Sequence, residues 1–563
     1  MLTDESRQRD FPLLEGVSYL NSAAEGIPPR VVVDALAQYE VIHPMDDPIT
    51  YVSNFSTLDW VIVAVYLAGT VAVGLYANRY IKDMADYIVA GRSLKSFISV
   101  ATMLGSEIGL VTVMYTAQKG FTGGFAAFHI GLVAGVGCLL IGLTGLIVVP
   151  LRKTGVMTIP EFYGQRFGSG VRVFGGLLLA LAGILNMGVF LKAGGVFLTS
   201  LTGMTDPNAV NIVMAILISL VLLYTILGGM VSVVITDYVQ FVVLSFGMLA
   251  VCLFSLNHLG WENIVETVTM VHGDAGFDPL HEEGFGLSYV IWMIFTFGLV
   301  ACAVWPTAVM RVCSAKDTQV VRRLYCWSSI GFMTRFIIPQ FLGICALAYF
   351  WQHSGPGSSF FTADGALTND PSETLRAMPL LLSQILPTGL IGLVAAGMLA
   401  AFMSTHDSYL LCWASVLVED VINPIKGGQL TTRTRLILAR SLIFVTGIFL
   451  LAWSIWYPMG QDMLDYLAVS GAVYFIGAFT VMLFGLYWKR SSRIGAYGAL
   501  AAGAGALLGL TPVRELLGFT NENLNVEITT AHIGLATVAL SLLLMVVGSF
   551  LFPDNQTAET TQA

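Results

Sequence analysis

From residue 58 to residue 552 the chain reads as long apolar runs separated by short polar connections. About thirteen runs fall near 58–77, 97–117, 124–150, 173–199, 210–228, 231–256, 288–310, 326–351, 388–418, 436–457, 464–488, 494–512 and 531–552, each close to the ~20 residues that cross a bilayer as a helix. Hydrocarbon offers no partner to backbone N–H and C=O groups, so a spanning segment has to satisfy them within itself. The pattern therefore predicts an all-α polytopic membrane protein of about 13 transmembrane helices. A few runs carry polar groups where the bilayer is driest, and those positions hold the candidate chemistry.

Composition agrees with that reading. The chain is 56% hydrophobic and only 11% charged, with mean hydropathy +0.77, whereas a soluble domain carries about a quarter charged residues. A soluble enzyme is excluded. The net charge of −9 comes without a basic stripe, so nucleic acid finds nothing to bind. Seven cysteines stand singly, mostly inside apolar runs and with no Cys-x-x-Cys, which supports neither a disulfide framework nor a zinc site. Residues 1–57 form a polar arm that does not begin as a secretory leader, and residues 553–563 form a short acidic tail. Within the arm, Phe11–Glu40 resembles the opening segment of fold-type I, class V aminotransferases. The cofactor-lysine region of such an enzyme is missing, so no pyridoxal-phosphate activity is carried over. A fusion remnant or an over-long start accounts for the segment better.

Charge on the connections sets an orientation. Lysine and arginine gather on alternate connections, beginning with Asn78–Lys95. The long connection Asn257–Phe285 instead holds Glu262, Glu266, Asp274, Asp278, Glu282 and Glu283 and neither lysine nor arginine. By the positive-inside rule the arm lies outside a plasma membrane and the tail lies in the cytoplasm.

The run with the densest polar content is Ala400–Ser415, AAFMSTHDSYLLCWAS. On a helix Ala401, Ser404, Thr405, Ser408 and Cys412 share one face. Such a small, hydroxyl-bearing stripe presents hard oxygen atoms to a cation. Equally, it lets two helices pack closely in a bundle. The stripe alone does not separate the two.

Other motifs do. ADYIVAGRSLK (Ala85–Lys95), TIPEFYGQRFG (Thr158–Gly168), YTILGGMVSVVITDYVQ (Tyr224–Gln240), WPTAVMRVCSAKD (Trp305–Asp317) and AAFMSTHDSYLL occur in that order. Together they resemble the signature segments of the sodium:solute symporter family, across most of residues 58–490. The resemblance implies a LeuT-like five-plus-five inverted repeat over 97–256 and 288–488, with broken first and sixth core helices. The breaks are expected at GSEIG (Gly105–Gly109) and FGLVACA (Phe297–Ala303); unwound backbone survives in a bilayer only where it lines a cavity. The resemblance also implies a sodium site made of the Gly105, Ile108 and Ala401 carbonyls and the Ser404 and Thr405 hydroxyls. It places Asp237 on a cytoplasmic ion path, the alternative being a loop-fixing cap.

Glu107 falls inside the first expected break, and an intramembrane carboxylate is a functional candidate by default. It can bind a cationic group on the substrate, tune the sodium site or carry a proton. Alternatively it pairs structurally with Lys192 or Arg335, both unusually deep for basic residues. Asp407, near the edge of the hydroxyl face, suits an inner gate or ion exit as well as helix packing, while His406 points away. His129 reads as a satisfied interfacial histidine. Thr112, Tyr115, Trp292, Phe295 and Thr296 are the expected substrate liners. Thr112 and Gly131 stand where sugar-carrying members place Gln and Glu, which argues against a sugar.

The expectation is a sodium-driven symporter, not an enzyme, whose partners are a small organic solute, the co-transported sodium ion and the bilayer. An amino acid or carboxylate suits it better than a sugar. Proton coupling through Glu107 is one alternative. A solute sensor is another, though only residues 553–563 follow the last run, too few for a signalling kinase in cis. Oligomeric state leaves no trace in the sequence.

Overall fold

The structure, a computed structural model, describes residues 52–77, 95–457, 461–517 and 528–554, with backbone only at 70–71, 73–75, 77, 224 and 227–243. Most of the N-terminal arm, nearly all of the Asn78–Lys95 connection and most of the tail lie outside the described residues. The described residues are almost wholly helical and contain no β-strand, as the apolar pattern requires. Eight helices are long and apolar enough to cross a membrane, or nine if Leu244–Leu259 and Trp261–Gly276, bent by 82°, form one span. The apolar stretches Thr57–Gly69 and Ala209–Leu223 lie within two further helices.

Helix α1 (Thr57–Ala77) leads to α2 (Ser96–Glu107), α3 (Leu110–Gly123) and α4 (Phe128–Thr144). Next come α5 (Ser169–Met187), α6 (Phe190–Thr202) and α7 (Ala209–Leu259). The runs expected at 210–228 and 231–256 are thus one 51-residue helix. The Gly228–Gly229 pair that divided them costs only about 1 kcal/mol per residue, too little to end a helix by itself.

The second half begins with α8 (Gly286–Met293) and continues through a π-helical stretch, Ile294–Val300, to α9 (Pro306–Ser314). Helices α10 (Thr318–His353), α11 (Pro371–Ile385), α12 (Leu390–Val416), α13 (Thr432–Trp456), α14 (Met463–Tyr487), α15 (Arg493–Gly503) and α16 (Thr530–Leu551) complete it. Burial sorts these helices into layers. The apolar windows of α12 and α14 are 89% buried, whereas those of α13 and α16 are 28% buried and leave most of their surface to lipid. The helix carrying the hydroxyl stripe is therefore central.

Two contacts hold the central helix and the first break in place. Asp59 of α1, fully buried, accepts the Gly389 and Gly392 amides at 2.7 and 2.9 Å and so caps the start of α12. That satisfies orphan donors which a bilayer leaves costly. At the end of α3, the buried Lys119 ammonium donates to Asp462 at 2.7 Å and Asp465 at 2.9 Å, next to the start of α14. Asp465 also accepts the Tyr289 hydroxyl at 2.9 Å. Lys119→Met leaves two adjacent carboxylates without their cation, so a loss of about 3 kcal/mol of stability is expected. Thermal unfolding in detergent checks it, and a midpoint equal to the parent's would show the cluster to be dispensable.

Candidate functional site

Both expected breaks are present, one of them displaced. Helix α2 ends at Glu107, Ile108 leaves the helical region (φ −92°, ψ 70°), and Gly109 starts α3 in an extended conformation (φ −93°, ψ 165°). This is where GSEIG was expected. In the second half the chain stays helical through Phe297–Ala303 and breaks instead at Trp305 (φ −62°, ψ 124°). Pro306 decides this, because its ring forces the preceding residue out of the α region and it has no N–H to continue the ladder.

The first break is pressed against the hydroxyl stripe. Ala401, Ser404, Thr405, Ser408 and Cys412 are all buried on α12. A Cβ built on Gly109 would overlap Thr405 Oγ1 and lie 3.2 Å from Thr405 Cβ, so only glycine lets the two strands of backbone meet this closely. The Thr405 hydroxyl donates to the Ala401 carbonyl at 2.9 Å, and the Thr112 hydroxyl donates to the Glu107 carbonyl at 3.0 Å. Residues almost three hundred positions apart are thereby brought into one oxygen-rich corner. Asp237 lies on α7, and its side chain falls outside the described residues.

Beside that corner is a cavity walled by residues of α2, α3, α5, α10, α12 and α14 and by the stretch leading into α9. Glu107, Thr112 and Tyr115 line it, as expected. Trp292, Phe295 and Thr296 do not. Trp292 is buried against α16, where a Cβ on Gly534 would overlap its ring, and the Thr296 hydroxyl is spent on the Trp292 carbonyl at 2.7 Å. The π-helical stretch explains the error: its i→i+5 turns add a residue and rotate the helix face. Phe297, Ala301 and Trp305 point inward in place of the predicted set.

Of the two deep cations, Arg335 meets Glu107. Its Nη1 donates to Glu107 Oε2 at 2.6 Å and to the Glu107 carbonyl at 3.2 Å, and Thr307 Oγ1 donates to Oε1 at 2.9 Å. The guanidinium lies 4.1 Å from the Phe332 ring centroid and 4.8 Å from that of Phe336. Lys192 goes elsewhere, donating to the Tyr457 carbonyl at 3.0 Å.

A second buried arginine was quoted in a motif but not singled out. Arg311 of α9 is 1% exposed. It donates to the Thr307 carbonyl at 3.2 Å, to Ser408 Oγ at 3.0 Å and to Ser106 Oγ, so it joins α2, α9 and α12. Ser408 in turn donates to Asp407 Oδ1 at 3.4 Å. Asp407 is fully buried behind that layer, while His406 turns to Phe402 and Phe190, outside the cavity. His129 is buried, with Nδ1 2.7 Å from the Ala126 carbonyl and its ring against Phe285.

Trp305 and Tyr409 are among the liners that sequence reasoning missed; Trp305 Nε1 donates to the Tyr409 hydroxyl at 2.8 Å. Tyr409 stands four residues after Thr405 and so continues the stripe. Trp305 precedes the proline that ends a helix. Both signals were visible.

The model of the sodium:solute symporter family matches residues 87–504. The chain is 26% identical over 523 residues to the sodium/myo-inositol cotransporter of Mus musculus, covering 82% of this chain and 67% of that one. It is also 26% identical over 473 residues to the sodium/proline symporter of Staphylococcus aureus strain Newman, covering 80% and 85%. Among solved structures, a substrate-bound, outward-open Na+-coupled sialic acid symporter superposes with a TM-score of 0.71 at 18% identity, covering 88% of this chain and 98% of that one. That similarity concerns the fold, which is the LeuT-like arrangement expected from the motifs.

Proposed function

Because the chain belongs to the sodium:solute symporter family, we propose that it imports a small organic solute with sodium by alternating access, an amino acid or carboxylate rather than a sugar. The observation that carries this is the seating of the α2–α3 break on the hydroxyl stripe of α12, next to a cavity lined by both charged and apolar groups. In this reading sodium takes the Gly105, Ile108 and Ala401 carbonyls and the Ser404 and Thr405 hydroxyls. Unwound carbonyls and helix ends are the groups that strip a small cation of its water within a membrane. The stripe lies on a central helix, so binding there draws α2, α3 and α12 together and shapes the cavity wall formed by Thr112, Tyr115 and Thr405.

The arm and the acidic Asn257–Phe285 connection face outward, and the tail faces the cytoplasm. Sodium then enters from outside and leaves past Asp407 and Asp237. Each elementary charge that crosses gains ~2.3 kcal/mol per 100 mV, which drives accumulation. The Arg335 guanidinium lies 2.6 Å from Glu107 Oε2, so the carboxylate is held in an ion pair inside the membrane. That weighs against proton coupling.

Sodium-gradient uptake into proteoliposomes tests the reading. Ser404→Ala removes one neutral ligand oxygen, worth about 1–1.5 kcal/mol, so the sodium concentration for half-maximal uptake should rise about tenfold. Unchanged sodium dependence in both Ser404→Ala and Thr405→Ala would remove this site.

A further inference from the structure

The cavity contains one full negative charge and one full positive charge, in contact, and this narrows what it accepts. Glu107 and Arg335 are 9% and 8% exposed, and both line the cavity. Their sum is zero. A monocarboxylate docked on Arg335 would leave a net negative charge deep in the bilayer, and a simple amine docked on Glu107 would leave a net positive one. Either is costly in a low-dielectric interior.

Arginine carries five N–H donors in a planar fork that suits a carboxylate. Both hydrogen bonds of Arg335 run from Nη1, and its buried Nε has no partner. The two aromatic rings stacked on the guanidinium hold that fork in place. Several of the uncharged polar groups nearby are already engaged. Tyr409 receives the Trp305 N–H, Thr112 donates to the Glu107 carbonyl, and Thr307 donates to the Glu107 carboxylate. The opposite walls are apolar, from Phe190, Phe297 and Phe475. A polyol would leave the Glu107–Arg335 charges without a counterpart and set its hydroxyls against these apolar walls, and each unmatched hydroxyl weakens binding.

We propose that the carried solute is a zwitterion with a mainly apolar body, an α-amino acid or close analogue, whose carboxylate takes Arg335 and whose ammonium takes Glu107. This rests on the symport reading above. The substrate opens the ion pair and replaces each charge by its own counterpart, so the site is neutral with or without solute. Charge neutrality of the solute also leaves sodium as the net charge that moves.

The test is sodium-gradient uptake by the purified full chain in proteoliposomes, using each common L-amino acid and myo-inositol. Competition follows, with isovalerate and isobutylamine set against L-valine, since each lacks one of its charged groups. At least one apolar amino acid should be taken up with sodium. The two single-charge analogues should compete about a hundredfold more weakly, the usual scale for removing one partner of a desolvated charge pair. Charge-neutralising variants separate contact from scaffolding. Glu107→Gln should shift preference toward isovalerate, and Arg335→Gln toward isobutylamine, each by about tenfold or more relative to L-valine. A merely structural pair would lose all ligands together.

Sodium-driven uptake of myo-inositol or isovalerate with every amino acid excluded overturns the zwitterion assignment and leaves symport standing. Uptake that ignores sodium overturns the symport reading itself. Should either variant fail to fold, the wild-type panel still decides.

Discussion

Gly109→Val is expected to abolish sodium-driven uptake, because the new Cβ would occupy the position of Thr405 Oγ1. Backbone strain plays no part. Gly109 is extended at φ −93° and ψ 165°, where any L-residue is comfortable. The damage comes from forcing the α2–α3 break away from α12. Overpacking of this kind costs about 1–3 kcal/mol. Spent at the ion site, it amounts to a ten- to hundredfold loss in sodium affinity, by about 1.4 kcal/mol per tenfold. Pairing Gly109→Ala with Thr405→Ala separates fold from ligation. Removing Oγ1 leaves the Thr405 Cβ position 3.2 Å from the added methyl, tight but tolerable. The double variant should therefore recover thermal stability yet respond poorly to sodium. Gly109→Val with the parent's sodium dependence would show that the break and the stripe do not form one site.

Arg311→Met should be the most damaging single loss of charge in the described bundle. The guanidinium is 1% exposed and ties Ser106, Thr307 and Ser408 together, and Ser408 passes the contact on to fully buried Asp407. Taking away a buried guanidinium that several elements share costs about 3–5 kcal/mol, because the groups it held are left in a dry interior. A markedly lower unfolding midpoint and loss of uptake are expected. Arg311→Lys keeps the charge but not the planar fork, so it should fall between. An unfolding midpoint for Arg311→Met equal to the parent's would contradict this account.

Much of the site could be read along the chain, and the failures have identifiable causes. The GSEIG break and the stripe at Ala401, Ser404 and Thr405 appear where they were expected, the break through the resemblance of its motifs and the stripe through short-range spacing. The second break was misplaced by a few residues. Glycine and alanine in Phe297–Ala303 looked like the weak point, but Pro306 dictates the geometry at Trp305. Half of the expected substrate liners are in the cavity. The other half, Trp292, Phe295 and Thr296, were expected because they precede the second break, and they fall outside the lining while Phe297, Ala301 and Trp305 line it. The Gly228–Gly229 pair overstated a boundary that the helix ignores.

The opening of the first core helix was legible through the resemblance of its motifs. Hydropathy and spacing settle that this chain is a helical membrane protein and which face of α12 carries oxygen. These follow from transfer free energy and from the angle of each residue about its own helix axis, both local properties. Packing decided what they could not. Glu107 had two candidate partners, and Arg335, 228 residues away, takes it while Lys192 turns to the Tyr457 carbonyl. That choice depends on how α2, α6 and α10 cross, and periodicity within one helix carries no record of its crossing angle with another. The same holds for the contact of Gly109 with Thr405. Neither residue is unusual along the chain, and the oxygen-rich corner exists only because the two meet.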